Sequence, residues 1–111
     1  TTPPAPADTF DVEYTLSAVV GTTNFSVNTT VMQEDPEGGP DIPVPGVTIY
    51  YRVICEPSMF TQFVNRTSDD AGWAGIATFT CPEGSTRVRV QIYRINDQTD
   101  NMPPVQSVDF T

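Results

Sequence analysis

The 111-residue sequence predicts an all-β protein: a two-sheet β-sandwich of six or seven strands, behind an extended proline-rich N-terminal segment. Three observations carry that expectation. Apolar residues recur at every second position in several separate runs, which is the period of a half-buried strand. Clusters of Gly, Pro, Asn, Asp and Ser interrupt those runs roughly every 8 to 12 residues, the spacing of sandwich turns. No stretch shows the 3.6-residue apolar period of an amphipathic helix. The length supports one domain and one core.

Residues 1–9 contain Pro3, Pro4 and Pro6 and almost nothing to pack, so they read as an extended segment leading into a domain over 10–111. Over 10–20, Phe10, Val12, Tyr14, Leu16, Ala18 and Val20 fall on one face, opposite a mainly polar set. Gly21-Thr22-Thr23 turns the chain into a second strand over 24–33, with Phe25, Val27 and Val31 inward. Residues 35–41 mix Pro, Gly and acids as a loop does. They lack the order of a calcium-binding loop, so the acidic cluster reads as a solvated turn and no metal or other cofactor is expected.

The best central-strand candidate follows, with Val47, Ile49, Tyr51, Val53 and Cys55 inward. Tyr50 and Ile54 on its outward face imply that a loop or a neighbouring subunit covers part of that face. Residues 60–67 form a strand whose phase stays open, because Phe60 and Val64 compete with Met59 and Phe63 for the interior. After a turn at 68–72, Ala77, Phe79 and Cys81 are expected to point inward. Trp73, in a glycine-flanked turn, caps one end of the sandwich or stands as an exposed contact residue. Residues 86–96 place Val88, Val90 and Ile92 inward, and the phase slips at Tyr93-Arg94-Ile95 as a bulge or strand end would make it. A short last strand spans 105–111.

Fourteen acidic residues against five basic ones give a net charge of −9, which disfavours phosphate backbones and anionic membrane surfaces. No nucleic acid partner is expected. The five basic residues are all arginines (Arg52, Arg66, Arg87, Arg89 and Arg94), so the chain has no lysine, and it has no histidine. A Ser-His-Asp or Cys-His pair, an imidazole metal ligand, a Schiff base and a P-loop lysine are therefore all excluded. Carboxylates such as Asp69 and Asp70 remain, but neighbours on one turn do not face a substrate from two sides as glycosidase acids do. A non-enzymatic protein is expected.

Two cysteines, Cys55 and Cys81, are too few for a structural zinc site and lack redox spacing. Both fall on inward faces of different strands, so one internal disulfide is the natural reading and two buried thiols the alternative. Asn24-Phe25-Ser26, Asn28-Thr29-Thr30 and Asn65-Arg66-Thr67 are N-glycosylation sequons. The parity that buries Phe25 and Val27 turns Asn24 and Asn28 outward. Disulfide and glycans both belong to the exported route, which predicts an extracellular or cell-surface protein carrying N-linked glycans. No apolar run approaches the ~18 residues of a membrane span, and the start lacks the basic and apolar regions of a signal peptide. Neither membrane insertion nor an unprocessed leader is expected.

Pro43-Val44-Pro45-Gly46-Val47-Thr48-Ile49, and later the run from Thr67-Ser68-Asp69-Asp70 through Gly72-Trp73 to Gly75-Ile76-Ala77-Thr78-Phe79, resemble the bacterial immunoglobulin-like domains of invasin and intimin adhesins. The resemblance covers about residues 42–96. The second motif is longer than the family's between its acidic pair and Gly75. What the resemblance implies is an immunoglobulin-like fold and a stalk, adhesion or assembly role.

The expected function is that of a structural subunit of an extracellular homo-oligomer or polymer: a pilus, filament, sheath or surface layer. Phe10, Val12, Tyr14, Leu16, Ala18 and Val20 would be the set inserted if the N-terminal strand completed a neighbour's sheet, and the core set if it paired at home. The alternative is an adhesin or carbohydrate-binding module, with Tyr50, Tyr51, Trp73 and Tyr93 as candidate sugar platforms.

Overall fold

The structure, a computed structural model, describes residues 11–35, 37–99 and 102–110. Its elements are β1 (Asp11–Ala18), β2 (Asn24–Gln33), β3 (Ile42–Pro43), β4 (Thr48–Glu56), β5 (Phe60–Thr67), β6 (Ile76–Thr80), β7 (Arg87–Ile95) and β8 (Gln106–Asp109). All ladders are antiparallel. Sheet A joins β1 to β2, with β3 and β6 sharing the far side of β2; sheet B runs β5-β4-β7-β8. The inner faces enclose one core, dominated by Phe25, Val27, Ile49, Tyr51, Val53, Val88, Val90 and Ile92. Each of the strands β2, β4 and β7 crosses that core with every second residue buried, which is why apolar alternation alone builds them.

Eight strands form where six or seven are expected, the extra one being the two-residue β3. Its pairing, Met32 with Pro43 and Gln33 with Ile42, continues an edge that β6 begins at Asn24 with Thr80. A bridge from Thr30 to Trp73 fills the gap between them. The third strand of sheet A is thus assembled from two distant segments, a pattern no local periodicity encodes.

β1 keeps the expected phase, with Tyr14 buried and Val12, Leu16 and Ala18 half-buried, but it stops at Ala18. Val20 is corrected from an inward residue to a turn residue 81% exposed. The Val19 N–H bonds the Asn24 carbonyl at 3.0 Å and closes the hairpin before the alternation can reach Val20. Phe10 lies outside the described residues. Ala77 is also corrected: Phe25 faces Phe79 while Val27 faces Ile76, so β6 carries one extra residue across that interval. Ile76 and Phe79 therefore take the inner face, and Ala77 is exposed. The last strand is shorter than expected, Gln106–Asp109 in place of 105–111.

The slip at Tyr93 is a bulge: Tyr51 pairs with Ile92 and Tyr50 with Arg94, leaving Tyr93 as the additional residue. On β5 the competition resolves in favour of Phe60 and Val64, which pack on the core, while Phe63 is 67% exposed. Trp73 neither caps an end nor stands free. It lies half-buried on the outer side of sheet A, its ring over Gly75, where a Cβ would meet the Trp73 ring at 2.9 Å and the Val27 carbonyl oxygen at 2.1 Å. Glycine is required there by space.

Candidate interaction surfaces

Cys55 of β4 and Cys81, one residue past β6, form a disulfide with Cα atoms 5.8 Å apart. It ties sheet B to sheet A in the interior, where both residues are buried. Closing a loop over a separation of 26 residues restricts the unfolded chain by about 3.5 kcal/mol in the chain-entropy account. Beside it stands a second tie that the sequence did not announce. Tyr51, expected as a core residue or sugar platform, is fully buried, and its hydroxyl donates to the Ala74 carbonyl at 2.9 Å and hydrogen-bonds the Thr29 hydroxyl. Burial pushes its phenol up to about 12. Tyr14 makes a third cross-sheet link, donating from β1 to the carbonyls of Val90 and Pro104, and burial raises its phenol as well. An isolated tyrosine at an inward position gives no hint of its hydroxyl's partner, so only the packing of the two sheets reveals these links.

The sequons occupy flat outer faces. Asn28 is exposed and Asn24 half-buried on sheet A. The Asn28 Oδ1 accepts from Trp73 Nε1 at 2.6 Å, and the Asn24 Oδ1 accepts from the Thr80 hydroxyl at 2.8 Å. Asn65 is exposed on β5, the edge strand of sheet B.

Positive charge is confined to one sheet. Arg52, Arg66, Arg87, Arg89 and Arg94 all lie on β4, β5 or β7, hence in sheet B. Arg87 pairs with Asp109 at 2.7 Å, and that hydrogen bond holds the guanidinium above its ordinary pKa. Arg94 pairs with Asp97 at 3.1 Å. Arg89 Nε lies 2.8 Å from Glu56 Oε1, an ion pair whose angle falls short of a hydrogen bond. Arg94 also sits 4.6 Å from the centre of the Tyr50 ring, and Tyr93 packs against both Tyr50 and Phe63 at 6.1 and 5.7 Å. The cover expected over Tyr50 thus comes in part from its own sheet.

The two ends of the sandwich differ as sharply. At one end lie Asp11, Glu34, Asp35, Asp41, Asp69 and Asp70: Asp11 faces Met32, Asp41 precedes β3, and the Gly72 carbonyl of the acidic turn accepts from Val31. At the other end lie the hairpin with Val19 and Val20, the β4–β5 turn with Met59, buried Phe110, and the charged residues Glu56, Glu83, Arg87 and Asp109. Gly21 donates to the Phe110 carbonyl, and Cys81 donates to that of Thr23. Val19, Val20 and Met59 are 53%, 81% and 52% exposed. β1 starts at the acidic pole and β8 runs toward the opposite one, so the described chain enters and leaves at opposite poles.

Among the described residues no cluster of three or more acids or cysteines could hold a metal ion, and no helix is long and apolar enough to cross a membrane. No protein-family model matches the chain, and no curated protein matches it. The class defined by the geometry is a fold class, the disulfide-tied immunoglobulin-like β-sandwich.

Proposed function

We propose that the chain is a non-enzymatic structural subunit of an extracellular assembly, such as a pilus, filament, sheath or surface layer, made of copies of itself. The opposition of the poles carries this reading. An end that exposes Val19, Val20 and Met59 among mixed charges and an acidic end where β1 begins are different surfaces, so contact between them is heterologous and repeats without closing into a dimer. The exposed valines gain from burial in such a contact, at about 25 cal/mol per Å² of apolar surface removed from water. Export and glycosylation are part of the proposal: the disulfide supports the first, and the three outward-facing sequons support the second.

The finer version, in which the N-terminal strand completes a neighbour's sheet, would use the residues that β1 now pairs with β2 from Asp11 to Ala18. It therefore requires the hairpin at 19–23 to open. The resemblance to invasin-type domains implies the same assembly role.

Electron microscopy of the wild-type chain and of Val20→Asp tests the reading. Regular fibres or sheets from the wild type, lost in the variant while its melting temperature stays within a degree or two, are expected. A wild-type chain that stays a monodisperse monomer at every concentration overturns it. Retention of that monomer on immobilised glycans would bring the adhesin or carbohydrate-binding reading forward.

A further inference from the structure

Among the described residues Phe63 is the large aromatic side chain that the fold leaves most in water, and its neighbours on β5 say what covers it. Phe63, Asn65 and Thr67 alternate onto the outward face of this edge strand, and all three are exposed. Successive residues on one face of a strand stand ~7 Å apart, so the Phe63 ring lies directly beside the Asn65 amide. Among the described residues no hydrogen bond engages that amide, whereas Asn24 and Asn28 hold bonds to Thr80 and Trp73. The residue two positions earlier also separates the three sequons: Thr22 before Asn24, Ser26 before Asn28, and an aromatic ring only before Asn65. Tyr93 packs against both Phe63 and Tyr50, the cross-strand partner of Asn65, but Arg94 also sits over the Tyr50 ring, whereas Phe63 meets Tyr93 edge to face and stays 67% exposed.

From this juxtaposition we infer that Asn65 carries an N-linked glycan whose first sugar rests its C–H face on the ring of Phe63. A pyranose presents several polarised C–H groups on one face, and an aromatic ring offers them a negative π surface. The contact removes the exposed ring from water without a protein partner. It also shields β5, whose stretch from Phe60 to Asn65 has no charge and no proline and would otherwise be an inviting edge for another chain. Sugar is attached before the fold is complete, so the folded geometry governs where the glycan lies and what it stabilises. The inference rests on the exported, glycosylated reading above.

The test is the chain secreted from a eukaryotic host, whose first sugar is N-acetylglucosamine, compared with Phe63→Ala, Asn65→Gln and the double variant. Glycopeptide masses report occupancy of each sequon. Melting temperatures report coupling, and proton spectra report ring-current shifts of the first sugar. We expect Asn65 to be occupied, its first sugar protons to shift upfield only when Phe63 is present, and the glycan to raise the melting temperature by a few degrees only in that background. Occupied Asn65 with unshifted sugar protons and no coupling to Phe63 overturns the stacking while leaving export intact. Occupancy of Asn24 or Asn28 without Asn65 overturns the choice of site. No occupancy at any sequon overturns both this inference and the glycosylated reading. Loss of fibres in Phe63→Ala with no change in sugar protons would make this face a protein interface instead, and would also overturn it.

Discussion

Sheet B and sheet A reach the same core by different means. In sheet B, β4 and β7 pair from Ile49 to Glu56 with a single bulge, and the inward residues of both strands are fully or almost fully buried. In sheet A only β1 and β2 pair in that regular way, while the far edge is spliced from β3, Trp73 and β6. Regular apolar alternation suffices for the first sheet. The second needs ties from outside its own ladder, namely the disulfide, the Tyr51 hydroxyl and the close approach of Gly75 to β2. The difference teaches that a strand too short to bury its own row of side chains is held by what it is tethered to.

The largest test of that contrast is the tether itself. Replacing Cys55 and Cys81 together with Ala is expected to cost about 3.5 kcal/mol by chain entropy, and more if the packing relaxes. Denaturant unfolding measures the total, and hydrogen exchange locates it. Amides of β6 should lose protection far more than those of β4 and β7, and equal loss in both sheets would break the comparison.

A somewhat smaller effect belongs to pH. Tyr51 keeps its proton to about 12 when folded, against an ordinary value near 10 in the unfolded chain. The unfolded state therefore ionises first, and the stability this tyrosine contributes is complete below pH ~10 and lost as pH rises toward ~12. The full difference is about 3 kcal/mol. Unfolding midpoints measured from pH 8 to 12 should fall through that window, and Tyr51→Phe, although less stable at pH 8, should show a shallower fall. An equally steep fall in the variant would remove Tyr51 from the account.

Smaller still is a paired substitution on the spliced edge. Gly75→Ala places a methyl against backbone atoms of Val27 and Thr29 and is expected to cost about 1–3 kcal/mol. Ala77→Thr, two residues on but exposed, is expected to stay within about 0.5 kcal/mol. A reversed order would restore the inward Ala77 that simple alternation predicts.

What was legible in the sequence follows the same division. The phases of β2, β4 and β7 could be read because each strand is long enough for its period to show; inward Cys55 followed from the phase of β4, and inward Cys81 from the alternation over 75–81, which holds for Phe79 and Cys81 though not for Ala77. The pairing of β1 with β2 is local and short-looped, yet its end was not legible, since Val20 continues the apolar alternation while the Val19 bond closes the turn. Ala77 was misplaced because one extra residue in β6 flips parity. β3 and the position of Trp73 depend on which distant segments share the edge of β2, and the open choice on β5 rests on which of its faces meets the core, a matter of tertiary placement that its own residues leave balanced. Of the candidate surfaces, the sequons could be read directly. The acidic end, the end that exposes Val19, Val20 and Met59, and the arginine-bearing sheet emerged only when the strands were laid side by side.

One feature of the topology has a mechanical meaning. Tension applied between the start of β1 and the end of β8 pulls along the strand axes in opposite directions, at opposite ends of the molecule. The ladder bonds of β1 with β2 and of β7 with β8 are then loaded together in shear, and none can peel away alone as in a zipper. Gln106 Nε2, which donates to the Tyr14 carbonyl at 2.6 Å, couples the two loaded strands directly. Should they slip, the chain between Cys55 and Cys81 still cannot extend, because the disulfide carries the force past those residues. A row of such domains would behave as a stiff cord with a covalent limit on its stretch.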